Sequence, residues 1–197
     1  MLRNTIIFAD MCPFTELVEN SIKKTVQKIR KTIFEKMVEG EPYRLVGENI
    51  LIMNGAKPNE VELQTAVKLA KTDEYYLVFP NDGQIKEIRK LKNESGEKRN
   101  DAYLIDKTTY KAIAVDIKTC GDPSPETIIA HLSEGVNQAP NLILDITGKM
   151  SKSKLIKGLR GGWSKELKLV LLNYHGQWYP IDRGKVFDKE WLGNTLR

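Results

Sequence analysis

Asp101, Asp116 and Lys118 are the residues whose types and spacing could best act on a phosphate. Asp116 and Lys118 are two apart, and such positions on a β-strand project from the same face. Asp116 is flanked by Ile113, Val115 and Ile117, which is hostile to a charge unless something compensates it. Two arrangements resolve this. The pair can satisfy each other as an ion pair on a half-exposed sheet, or they can share a metal ion and a water. If the strand register brings Asp101 alongside, two carboxylates could hold one Mg²⁺, a hard ion that takes oxygen ligands and keeps waters. Lys118 would then orient or deprotonate the attacking water while the metal stabilises charge on the phosphate.

Those side chains need a hairpin inside a larger α/β layer, and the rest of the chain supplies candidates. Asp101 to Asp106 reads as a strand, Lys107 to Tyr110 as a turn, and Lys111 to Lys118 as the partner strand. Upstream, Asn59 is placed to cap a helix running to about Lys71, with Glu60 and Glu62 in its first turn. Tyr75 to Phe79 is a short aromatic and β-branched strand closed by Pro80. Residues 81–100 form a polar loop or an insertion. Downstream come a helix from Pro125 to Gln138 and an apolar strand from Asn141 to Ile146. A helix from Ser151 to Leu159 follows, then a hairpin of Leu167–Tyr174 and Gln177–Asp182 across His175-Gly176.

From residue 59 the order is αβββαβ, then αββ. That predicts an α/β (α+β) fold with a central mixed or antiparallel sheet and flanking helices. Before it, Leu17, Val18, Ile22, Val26, Ile29, Ile33 and Met37 recur at helical spacing between Phe14 and Glu39. The opposite face of that helix carries Lys23, Lys24, Lys28, Lys31 and Lys36, suited to solvent, phosphates or acidic lipid. Tyr43 to Met53 reads as one or two irregular strands ending at Asn54-Gly55. The expected division is an N-terminal helical segment, 1–55, and an α/β domain, 56–197.

The 197 residues are 41% apolar and 29% charged, which excludes collagen-like, wholly disordered and disulfide-scaffold chains. No stretch approaches the roughly 20 apolar residues of a transmembrane helix. The four-residue apolar run Ile6 to Ala9 is too short for an export signal. Cys12 and Cys120, far apart, are expected as free thiols. The net charge of +5 permits a polyanionic partner. Phosphate-binding G-x-x-x-x-G-K-[ST], dinucleotide glycine, H-E-x-x-H and zinc cysteine motifs do not occur.

Asn100-Asp101…Asp116-Ile117-Lys118, the helix ending in Gln138-Ala139 and the strand Asn141-Leu-Ile-Leu-Asp145 together resemble the PD-(D/E)xK nuclease superfamily. More closely, they are similar to the C-terminal nuclease domains of contact-dependent growth-inhibition and related polymorphic toxins. The resemblance spans about residues 56–182. It implies divalent metal at Asp101 and Asp116, joined by the helical carboxylate Glu60 or Glu62. It further implies that Lys118 assists the nucleophile and that Gln138 reaches the active centre. Asn100 stands where that family has Pro, and Ser133 and Gly135 stand where its toxins more often have a basic residue and Ala. Many such toxins cut tRNA, so RNA is implied before DNA. So are action in the cytoplasm, delivery from a larger secreted or phage protein, and an acidic immunity partner complementary to a basic cleft.

The same pattern also resembles the barnase/EndoU/colicin/RelE-like nucleases, which need no metal. That resemblance implies Lys118, Thr119, His131, Gln138 and Arg160 as the working side chains, with His131 as proton shuttle. A lone histidine on a helix is more often a packed or capped residue than a shuttle, which applies to His131, and His175 reads as a turn residue. Between Lys149 and Lys168 stand Lys152, Lys154, Lys157, Arg160 and Lys165 around Trp163, with one acid, Glu166. Such a row suits a nucleic-acid backbone with a base stacked on the ring, or a solvated helix with Trp163 plugging the core. A third possibility is a non-catalytic binding module in which Asp116 and Lys118 are merely paired.

Overall fold

The computed structural model describes residues 43–83 and 100–196, and in addition Lys24, Lys28 and Lys31. Eight strands form one mixed sheet in sequence order. They are β1 (Tyr43–Val46), β2 (Ile50–Met53), β3 (Tyr75–Phe79), β4 (Ala102–Asp106), β5 (Ala112–Cys120), β6 (Asn141–Ile146), β7 (Leu169–Tyr174) and β8 (Gln177–Asp182). Helix α1 (Glu60–Ala70) links β2 to β3, α2 (Pro125–Gln138) links β5 to β6, and α3 (Lys152–Gly162) links β6 to β7. Each of these helices joins parallel neighbours, and the remaining strand pairs are antiparallel. Parallel strands require a crossover of this kind, which the apolar periodicity of each helix supplies. Two short helices, α4 (Arg183–Phe187) and α5 (Lys189–Thr195), follow β8. The expected αβββαβ order is thus α1-β3-β4-β5-α2-β6.

Local chemistry fixes the helix starts. Asn59 and Glu62 form a reciprocal capping box at α1, and the Ser124 side chain accepts from Thr127 N ahead of Pro125 at α2. Strand alternation divides the core between the two faces. Ala66 and Leu69 of α1 pack with Leu77, Phe79, Leu104 and Ile143 on one face. Ile128 and Leu132 of α2 and Leu155 and Leu159 of α3 pack with Leu142, Leu144 and Leu172 on the other. A third cluster, Leu51, Met53, Val78, Tyr103 and Ile105, is also buried.

The structure corrects the expected division of the chain and adds two short helices. β2 pairs with β3 and β1 with β2, so residues 43–53 belong to the sheet and the division at residue 55 falls inside it. The Phe14–Glu39 helix lies largely outside the described residues. Lys24, Lys28 and Lys31 are helical, with Lys31 Nζ 6.0 Å from the Tyr110 ring centre. Residues 183–195, to which periodicity assigned nothing, are helical. They are too short for an apolar stripe and are marked only by Asp182 and Asp188, whose carboxylates cap the two helix starts. Cys120 is a buried free thiol, whereas Cys12 lies outside the described residues. Among the described residues no helix is long and apolar enough to cross a membrane.

Candidate active site

β5 is longer than β4. The β4–β5 ladder ends with Ala102 opposite Val115, and Asp101 N donates to Val115 O at 3.1 Å. That register sets Asp101 across from Asp116. Beyond it, Ile117 N donates to the Asp101 Oδ2 carboxylate oxygen at 2.8 Å, in place of a further ladder bond. The N–H and C=O of a strand residue point to the same side, so the Ile117 carbonyl also faces this notch. Asp101 therefore ends one strand, holds the next in register and brings a carboxylate to the point where they part.

Asp116 is fully buried, and Lys118 Nζ stands 3.1 Å from its Oδ2. On the α2 side Asp116 meets Gly135. A Cβ at Gly135 would lie 2.8 Å from Asp116 Oδ2 and 2.4 Å from Leu142 Cδ2. Glycine at that position is what lets the helix approach the carboxylate, and it accounts for the departure from Ala. Burial pushes the Asp116 carboxyl up first. The Asp101 charge and a hydrogen bond between the two acids push it further, against the pull of Lys118, to about 7.

Glu62 belongs to the same electrostatic group. Its carboxyl is raised chiefly by burial and then by the Asp101 charge, against its hydrogen bond from Asn59 N and the charge of Lys118. Glu60 does not belong to it: it is exposed and accepts from Gln64 on the outer side of α1. Of the two helical acids named from sequence, only Glu62 is half-buried and feels the charges of Asp101 and Lys118.

The other candidates divide between the sheet faces. His131 is half-buried on α2. Burial lowers its imidazole, Glu134 opposes that, and the charge of Lys118 lowers it further. Its Nδ1 is buried without a hydrogen-bond partner among the described residues. Gln138 sits half-buried in the last turn of α2, one turn beyond Gly135. Thr119 is on the wrong face for the metal-free scheme. Its hydroxyl is 2.9 Å from that of Thr65 on α1, across the sheet from Lys118. Trp163 is buried in the core beneath α3 and gives no open ring face, so it is the core plug. Arg160 Nε donates to Val186 O and Lys152 Nζ to Gly193 O, tying α3 to the C-terminal helices. Lys154, Lys157 and Lys165 are exposed, the last beside Glu166 at 3.7 Å.

Sequence reasoning missed a second polar group, on the α1 face. Asp145 is fully buried. Its Oδ2 accepts from Lys68 Nζ at 2.6 Å and from Thr65 Oγ1 at 3.2 Å, and its Oδ1 accepts from Asn173 Nδ2 at 2.9 Å. The available signal was an acid within Leu-Ile-Leu-Asp-Ile, the same anomaly that singled out Asp116.

Among the described residues no three His, Cys, Asp or Glu side chains are grouped to hold an ion. The oxygen donors at the notch are two carboxylates and one main-chain carbonyl. No family model, curated protein or solved structure matches this chain.

Proposed function

We propose that this chain is a metal-assisted nuclease of the PD-(D/E)xK kind, hydrolysing phosphodiester bonds in RNA, with tRNA the favoured substrate. One observation carries the reading: Asp101, Asp116 and Lys118 meet where β4 ends and β5 runs on. A bare structural ion pair needs one acid for one lysine. Here two acids stand beside one lysine, leaving an excess of negative charge around a fully buried carboxylate. A dication relieves that excess. Asp101, Asp116 and the Ile117 carbonyl would hold it, oxygen donors of the kind Mg²⁺ takes. Such an ion supplies charge neutralisation on the phosphate and a water acidic enough to attack.

The protein's own groups do the rest. Asp101 accepts the Ile117 amide and so fixes the strand carrying Asp116 and Lys118. Lys118, held 3.1 Å from Asp116 Oδ2, would orient the attacking water and offset charge building on phosphorus. Gly135 lets α2 close over this face and keep bulk water from Asp116. The placement of Thr119 against Thr65 counts against the metal-free scheme, which needs Thr119 beside Lys118.

The toxin resemblance adds delivery from a larger secreted or phage protein, action in the cytoplasm and an acidic immunity partner as parts of the same proposal. The test is incubation of purified protein with total tRNA, mixed RNA and duplex DNA, with Mg²⁺ or EDTA. RNA cleavage with Mg²⁺ and none with EDTA is expected. Cleavage indifferent to EDTA would transfer the chemistry to Lys118 and His131, and RNA binding with no cleavage under any divalent ion would make this a binding module.

A further inference from the structure

On the α1 face, at the carboxyl ends of β6 and β7, lies a cleft of about 780 Å³ whose lining includes Lys68, Lys71, Lys149, Asn173 and Trp178, with Asp145 at its floor. Three features of it are unexplained by the site at Asp101 and Asp116. First, Asn173 is 6% exposed, and its Oδ1 is buried with no hydrogen-bond partner among the described residues. Its amide orientation is not ambiguous: Nδ2 donates to Asp145, an acceptor, so Oδ1 must be the atom left over. Leaving a buried acceptor unmet is costly, and a ligand N–H would satisfy it.

Second, Trp178 is directly across the β7–β8 ladder from Asn173, so both side chains leave the same face as near neighbours. One side of the indole packs on the core cluster of Leu171 and Ile143, and the residue is only partly buried where it lines the cleft. It is a fixed aromatic surface. Third, the rim is cationic. Lys68 is neutralised by Asp145, but Lys71 and Lys149 are exposed and form no ion pair among the described residues.

We infer that this cleft binds a nucleotide: the base lies against Trp178, a base N–H donates to Asn173 Oδ1, and the phosphate meets Lys71 and Lys149. A flat ring with a donor on its edge and an anion attached matches all three features at once, which inorganic phosphate or a carboxylate does not. α1 connects the two sites. Glu62 and Lys68 are six residues apart, roughly 9 Å along a helix, and Thr65 between them bonds both Thr119 and Asp145. A strand threaded past the end of α1 would present one nucleotide here and a phosphodiester at the notch. The inference does not depend on cleavage at that notch.

Calorimetric titration of the full chain with AMP, in EDTA, tests it. Saturable one-to-one binding is expected, at least tenfold weaker for Trp178→Ala and at least fivefold weaker for Lys71→Ala/Lys149→Ala. Purine riboside monophosphate, which lacks the amino group, should bind at least fivefold more weakly than AMP. Lys118→Ala should bind AMP as the wild type does, which separates this cleft from the catalytic proposal. Hexaadenylate binding tenfold tighter than AMP would show a nucleotide within a strand, and equal binding would show a free one. No saturation by AMP, equal competition by inorganic phosphate, or saturation by a polyglutamate peptide instead would each overturn the inference. Should Trp178→Ala not fold, Lys71→Glu/Lys149→Glu at exposed positions must abolish AMP binding, and its retention would count equally against the cleft.

Discussion

Replacing Asp116 by Asn removes the charge that the fold tolerates least, and the protein should become more stable while losing activity. The carboxyl ionises near 7 in the folded chain against 3.8 for the ordinary group. That upward shift makes the ionised form cost the fold on the order of a few kcal/mol above pH 7. The folded state binds the extra proton between those two values. Stability of the wild type should therefore fall as pH rises from 4 to 7 and level off beyond. The pull of Lys118 is already contained in that shift, and the amide's poorer match to the carboxyl's hydrogen bonds offsets part of the gain. The net gain at pH 8 is then about 1–3 kcal/mol, a rise in Tm on the order of 5 °C for a chain of this size. The assay is thermal unfolding in EDTA at pH 5 and pH 8 for both proteins. Asp116→Asn should exceed the wild type at pH 8 and converge on it at pH 5. Added Mg²⁺ narrows the difference, since about 10 mM ion at a site of roughly 1 mM affinity contributes about 1.4 kcal/mol to the wild type alone. A variant less stable than wild type at pH 8 without metal would show that Asp116 and Lys118 form a stabilising ion pair, and the argument from excess charge would fail.

Lys118→Ala should fold with a Tm within a few degrees of wild type and show no RNA cleavage in Mg²⁺; a collapse of stability instead would mark the lysine as structural. Gly135→Ala forces a methyl against Asp116 and Leu142, and chemical denaturation should report a loss of about 1–3 kcal/mol, with cleavage reduced in parallel. Thr119→Val breaks the bond to Thr65 across the sheet from Lys118, costing about 1 kcal/mol. Cleavage by that variant should stay near wild type, and a hundredfold loss would restore the metal-free scheme. Glu62→Gln should weaken the response to Mg²⁺ several-fold in a cleavage titration, whereas Glu60→Gln should leave it unchanged.

Elements carried by strong local signals were legible in the linear chain. The cap at Asn59 and the turn at His175-Gly176 are local preferences, and helices α1 and α2 and strands β6 and β8 fall where the local pattern puts them. The pairing of Asp116 with Lys118 on one face was legible too, since strand alternation alone sets it. What tertiary structure decided is which distant groups meet. Glu62 and Glu60 are equivalent in sequence, and the docking angle of α1 turns one to the site and the other to solvent. Thr119 adjoins Lys118 in the chain yet lies on the opposite face, because one residue along a strand reverses the side. The merit of Gly135 exists only because Asp116 and Leu142 stand beneath it, and Trp163 is a plug only because α3 lies over β6 and β7. Asn173 and Trp178 become neighbours through the β7–β8 register, and Asp145 reaches Lys68 across 77 positions of sequence. Local backbone chemistry acts over a few residues and is written in composition and spacing. A site is assembled by long-range packing, whose outcome depends on every element of the sheet at once.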